Sequence, residues 1–281
     1  MANQIHWFPG HMNKALHEIE EKVKIIDVII ELLDARAPLS SVNEHLEKAT
    51  ANKKKLYLIT KSDLADNEQT KLWQKHFANQ NNEVLIVDLT NKNSFKIISQ
   101  AIVRLGKSKW DRDMARGMKP QPIRTMIIGI PNVGKSSLIN LLAQRKAAGV
   151  QNKPGYTRGE QWIRVNKDYL LLDTPGILPM NYDNKEKAIN LALVGSIRED
   201  ILPNEDLVDA LLHNLIKHYP NSLKERFDID DFSNHVITLQ TIAKNRGLIS
   251  NNNQLDIIKA QATLLKEFKD GLLGRITLEW L

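Results

Sequence analysis

The apolar residues of this chain follow two rhythms in succession, and the change from one to the other divides it. Over residues 14–24 the apolar positions Leu16, Ile19 and Val23 recur at helical spacing. A near-continuous apolar run, IIDVIIELLDA at 25–35, then ends in Asp34, Arg36 and Pro38. Such a run predicts a parallel strand buried on both faces and opening into a loop. Helical patterns at 43–51, 68–79 and 95–105 alternate with strand patterns KLYLIT at 55–60, VLIV at 84–87 and IRTMIIG at 123–129. A further helix reaches Leu142, and EQWIRV (160–165) and YLLLD (169–173) read as strands joined by the polar Asn166-Lys167-Asp168 turn. Strands alternating with helices imply βαβ units and a mostly parallel sheet. Beyond Gly176 the rhythm is helical throughout, at 185–194, 206–219, 233–246 and 254–269. The expected division is an N-terminal tail and helix (1–24), an α/β domain (25–203) and a small all-α domain (204–281).

Composition narrows the classes. At 281 residues and 42% hydrophobic, the chain can bury one full core and a smaller second unit. It has no cysteine, which excludes disulfides and cysteine-ligated zinc. No apolar run approaches the ~20 residues of a membrane helix, and the first residues lack a signal-peptide core. A cytoplasmic protein with no membrane partner is expected. The net charge of +6 points to an anionic partner, yet residues 205–281 hold 9 Lys/Arg against 11 Asp/Glu. The densest basic stretch is Arg104, Lys107, Lys109, Arg112, Arg116, Lys119 and Arg124, against only Asp111 and Asp113. It reads as a solvated linker between two halves of the core, with contact to nucleic-acid phosphate as the second reading.

Three motifs then supply chemistry. GIPNVGKS at 129–136 fits G-x-x-x-x-G-K-[ST] between a strand and a helix, the context that a phosphate loop requires. Gly129 and Gly134 let backbone N–H groups curl round phosphate, Lys135 reaches the β- and γ-phosphates, and Ser136 offers a hydroxyl to Mg²⁺. Asn132, Val133 and Ser137 complete the loop. DTPG at 173–176 closes an apolar strand: Asp173 is placed to hold Mg²⁺ through water, and the Gly176 N–H to meet the γ-phosphate. TKSD at 60–63 selects the base, because the Asp63 carboxylate accepts from two adjacent guanine donors that adenine lacks. Lys61 is expected along the base plane, Thr60 to hold neighbouring loops, and Ser62 to complete the reader. Asp88 and Leu89 stand where a further base contact belongs, without the usual Ser-Ala. Thr157, in PGYT at 154–157, is the candidate switch threonine for Mg²⁺, against the alternative of a plain Pro-Gly turn. In an ordinary GTPase the phosphate loop precedes the guanine reader. Here TKSD leads, so the fold class expected is a circularly permuted P-loop GTPase domain followed by helices.

With these motifs aligned, the chain resembles the ribosome biogenesis GTPase A family over nearly its whole length. The resemblance rests also on WFPGHMNKA at 7–15, DARAP at 34–38 and LGRITLE at 273–279. It implies an assembly factor that binds a late precursor of the large ribosomal subunit through rRNA in its GTP form, with hydrolysis accompanying release. It further implies that Asn132 coordinates a potassium ion beside the phosphates. Ile177 stands where Ras-like enzymes carry the water-orienting Gln, and the family points instead to His11 as the catalytic group. His11 also reads as a surface residue or an RNA contact. Gly274 and Arg275 read either as a helix stop with its cation or, with Lys244 and Arg246, as RNA contacts. The alternative function is a nucleotide-stabilised ribosome-binding protein without turnover; a P-loop small-molecule kinase would leave Asp63 unexplained. DNA is not an expected partner.

Overall fold

A computed structural model of the chain describes residues 10–143, 162–174 and 185–281, with the side chains of 10–16 and Glu199 left aside. Six strands form one sheet in the order β3-β2-β1-β4-β6-β5. They are β1 (Val28–Asp34), β2 (Lys54–Thr60), β3 (Asn82–Ile86), β4 (Ile123–Gly129), β5 (Trp162–Arg164) and β6 (Tyr169–Leu172). All neighbours pair in parallel except β5 with β6. Helices α1 (Gly10–Val23), α2 (Glu44–Ala49), α3 (Asn67–Phe77), α4 (Ser94–Ala115) and α5 (Lys135–Ala143) accompany the strands.

Every residue of β1 is buried, as its two-faced apolar sequence requires. Val28, Ile30 and Leu32 join the core that faces α4 and α5, while Ile29 packs with Ile19, Val23 and Leu46 of α1 and α2. Leu33 turns to a third cluster with Tyr57 and Trp73. The alternation sends each side chain to a covered face, each worth roughly 1.5–3 kcal/mol. The strand begins at Val28 rather than at residue 25, because Ile25 and Ile26 close α1 by bonding back to Lys22 and Val23.

The basic stretch from Arg104 is not simply a linker. Helix α4 continues through it to Ala115, and the chain then turns at Gly117, with Asp113 accepting from the Gln121 N–H. Helical spacing carries on through Leu105 and Trp110, both packed on the core, with Lys107 and Arg112 exposed while Lys109 is mostly covered and paired with Asp113 at 2.6 Å.

From residue 185 onward come α6 (Lys185–Leu193), α7 (Asn204–His218), α8 (Pro220–Phe227), α9 (His235–Asn245) and α10 (Ile257–Lys269). Helix α8, with Pro220 in its first turn, is too short for a period to stand out. Leu191, Leu211, Phe227, Ile242, Leu264 and Ile276 belong to the same apolar cluster as the sheet residues Leu32 and Ile127. Helix α10 stops at Gly271, whose positive φ and the Leu272 N–H to Glu267 O bond make the C-cap; Gly274 makes a later turn.

Candidate nucleotide site

The C-terminal ends of β1, β2, β4 and β6 converge, and each delivers one motif. The phosphate-loop strand β4 is central in the sheet although fourth in the chain, with β1 on one side and β6 on the other. Permutation has therefore moved the termini and kept the strand ends together.

The phosphate loop is built on conformations that exclude ordinary side chains. Gly129 and Gly134 have φ of +153° and +111°, and a Cβ at 134 would lie 2.9 Å from Leu89 Cδ1. Leu89 thus packs against the phosphate loop, which brings the segment after β3 to the same place. Asp88 uses its carboxylate on the Thr90 N–H and hydroxyl (2.8 and 2.7 Å), which hold it below the usual carboxylate range. Asn132 is left-handed at φ +60°, an uncommon conformation that marks the loop as strained. Its amide donates to Gly195 O at 2.8 Å, just beyond α6.

Lys135 turns inward and donates to Ile130 O (2.8 Å) and Gly129 O (3.1 Å), carbonyls of its own loop. Burial pulls its pKa down to about 8, with Asp173 opposing. Burial likewise raises the Asp173 carboxyl, against Lys135 and the Thr174 N–H. Thr174 ties this segment to β4 through its hydroxyl on Ile127 O. Ser136 and Ser137 are exposed in the first turn of α5. An exposed hydroxyl, a nearby carboxylate and a glycine cradle at a helix N-terminus fit a magnesium–nucleotide, with Ser136 and Asp173 to hold the metal and Lys135 the phosphates.

Register explains the base-side loop. Asp34 pairs directly with Thr60 across β1 and β2, so the next residue, Lys61, emerges beside Asp34. Lys61 Nζ lies 2.9 Å from Asp34 Oδ2, and Lys61 is itself left-handed at φ +56°. Asp34 also takes the Arg36 Nε (3.0 Å) and Nη2 (2.9 Å). Burial works to raise the Asp34 carboxyl, but Arg36 and Lys61 outweigh it and hold it low. The Thr60 hydroxyl sits 2.8 Å from Val133 O and 3.1 Å from Leu33 O, joining the Thr60–Asp63 segment to the phosphate loop. Asp63 is exposed and has no hydrogen-bond or ion-pair partner among the described residues. It is free for a ligand, with Ser62 half-buried beside it.

Thr157, Gly176 and Ile177 lie outside the described residues, as does the side chain of His11. Arg246 shares the Glu267 carboxylate with Arg226. The role of Asp34 in holding Lys61 was not read from the sequence, although an acid ending a fully apolar strand is its trace.

A family model described as "50S ribosome-binding GTPase" matches residues 124–245. Ribosome biogenesis GTPase A of Bacillus cereus is 40% identical over 276 residues, covering 98% of this chain and 93% of that protein. The mouse protein Mitochondrial ribosome-associated GTPase 1 is 32% identical, over 97% of this chain and 89% of its own. Among solved structures, GDP-bound TM YlqF shares the fold at TM-score 0.66 and 24% identity, over 94% of this chain and 98% of its own. The permuted order of motifs, their meeting at one edge of the sheet and these full-length similarities agree, and the chain belongs to the ribosome biogenesis GTPase A family of GTP-hydrolysing proteins.

Proposed function

We propose that this GTPase acts late in maturation of the large ribosomal subunit, binding precursor and rRNA in its GTP form and leaving on hydrolysis. The observation that carries the reading is the bond from Asn132, in the phosphate loop, to Gly195 O. Arg36, tied to Lys61 through Asp34, donates to the adjacent Val194 O at 3.1 Å. Both ends of the nucleotide site therefore bear on the turn after α6, which leads into the helical unit. A change at the γ-phosphate has a short mechanical route to those helices.

The N-terminal edge of the sheet supplies a surface for rRNA phosphate. Arg112, Arg116, Lys119 and Arg124 are exposed there and form no ion pair among the described residues. Lys53 adjoins them: burial lowers its pKa, Asp27 opposes, and the Arg112 charge adds to the lowering. Cations left unpaired side by side suit a polyanion better than a protein surface of mixed charge. This face is opposite the nucleotide, so RNA and GTP need not compete.

Magnesium is assigned to Ser136, Asp173 and Thr157, and potassium to Asn132. His11 is the proposed group that positions the attacking water, since Ile177 cannot. The cytoplasm is the proposed compartment. Among the described residues no helix is long and apolar enough to cross a membrane.

The test is GTP turnover with and without purified large subunits, in potassium and in sodium. Subunits should stimulate turnover in potassium, Asn132→Ala should erase the difference between the salts, and His11→Ala should bind subunits but lose most of the stimulation. A rate indifferent to subunits would reject the assembly-factor reading, and equal rates in both salts would reject the potassium assignment.

A further inference from the structure

The last residues of the chain return to the guanine reader. After the turns at Gly271 and Gly274, residues 275–279 form an irregular strap between the helical unit and the α/β domain. The Ile276 N–H donates to Leu64 O at 3.0 Å, one residue beyond Asp63. Two residues further on, the Asp66 N–H donates to the Thr277 hydroxyl at 3.1 Å. Leu64 also packs so closely on the strap that a Cβ at Gly271 would lie 2.6 Å from its Cδ2. The segment that carries Asp63 out of β2 is thereby fixed at both of its following turns.

The strap reaches the other half of the reader too. The Leu278 N–H donates to Arg36 O at 2.8 Å, and Arg36 is the residue that shares Asp34 with Lys61. The Glu279 carboxylate takes the N–H groups of Leu39 (2.6 Å) and Ser40 (2.9 Å), and the Ser40 hydroxyl. On its opposite side the strap is held by helices: the Thr277 N–H meets Tyr219 Oη at 3.1 Å, and Asn214 donates to Leu278 O at 3.2 Å. Ile276 and Thr277 are buried, so these bonds are shielded from water.

We propose that this C-terminal strap is a positioning element of the guanine-reading loop, with Thr277 and Ile276 setting the loop that bears Asp63 and Leu278 steadying the Arg36–Asp34–Lys61 chain. The inference rests on Asp63 being the base-reading carboxylate. Neither Thr277 nor Ile276 touches the nucleotide; they act through the loop. Base recognition is then coupled to docking of the helical unit through Leu64 and Asp66, contacts that the phosphate route through Asn132 does not use. Linkage makes the coupling reciprocal: if the docked strap favours guanine binding, guanine binding must tighten the docked strap by the same factor.

Two measurements on the full chain decide it. The first compares affinities for GDP and IDP, which lacks the exocyclic amine that Asp63 is expected to bind. Thr277→Val keeps the buried volume and removes the acceptor, so GDP affinity should fall roughly three- to tenfold and the GDP-over-IDP ratio should shrink; Thr277→Ser should restore both. The second follows amide hydrogen exchange of Ile276 and Thr277 in the unmodified protein, which needs no variant to fold. Exchange should slow with GDP and remain unchanged with magnesium pyrophosphate. An unaltered GDP-over-IDP ratio in a folded Thr277→Val, or equal protection by GDP and pyrophosphate, overturns the proposal. Asp63→Asn separates this from failure of the underlying reading: it should shift preference from GDP toward xanthosine diphosphate. If it does not, Asp63 is not the base reader and the strap has no guanine site to position.

Discussion

Replacing Asp34 by alanine tests whether the guanine reader is held by a buried charge cluster. Asp34 is fully buried, and its two oxygens serve Arg36, which is 3% exposed, and Lys61. Without the carboxylate, Arg36 keeps only Val194 O as a described acceptor for its guanidinium. Removing one partner of a buried pair costs about 3–5 kcal/mol, because the remaining charge stays desolvated. Lys61 is less enclosed and relaxes into water, so it adds little to that loss, but it leaves the place beside Asp34 that the proposed base contact needs. We therefore expect urea denaturation of Asp34→Ala at pH 7 to show a loss of about 3–5 kcal/mol, and fluorescent GDP titration to show roughly tenfold weaker binding. Asp34→Asn should fall between wild type and alanine, since its amide keeps one acceptor and loses the charge. The folded Asp34 carboxyl is held below its unfolded value. Its contribution is complete above the unfolded pKa and disappears as pH falls through the folded one. The gap between wild type and Asp34→Asn should accordingly narrow as pH falls below the ordinary carboxylate range. A loss under about 1 kcal/mol in Asp34→Ala, with GDP affinity unchanged, would refute the argument.

Three further outcomes follow from the geometry. Burial pulls the Lys135 ammonium down to about 8, so GDP affinity should weaken by up to about tenfold per pH unit above that value; Lys135→Arg should remove this dependence, and a flat wild-type profile to pH 9 would contradict it. Burial raises the Glu31 carboxyl to about 8, against Lys55. Its stabilising proton is present in the unfolded chain only at low pH, so stability should fall by roughly 1 kcal/mol per pH unit between about pH 5 and 8 and then level off. Glu31→Gln should flatten that slope in thermal melts and be the more stable form at pH 8. Thr60→Val leaves Val133 O without its hydroxyl partner in a buried place, which should cost about 1–3 kcal/mol in ligand-free denaturation; an unchanged midpoint would show that the bond contributes nothing.

The sequence by itself determined the parts that depend on neighbours along the chain. An apolar run such as that of β1 can satisfy itself only as a strand covered on both faces, and GIPNVGKS can form only one kind of loop between a strand and a helix. Motif order was equally local information, so the permutation was legible before any coordinates. Boundaries were less so, because helix period does not stop where charge begins: α4 ran on through the basic stretch, with Lys107 exposed and Lys109 paired with Asp113. What the sequence did not contain was which distant groups complete one another. Only the register of β1 against β2 sets Asp34 beside Thr60 and thus beneath Lys61. Only packing of the helical unit returns Ile276 to Leu64 and Glu279 to Leu39 and Ser40, across gaps of more than two hundred residues. Such contacts leave no period or spacing in the chain, since they are made by bringing together ends that local preferences never see. The tertiary structure therefore decided how the Thr60–Asp63 segment is held, while the local sequence had already placed that segment at a strand end.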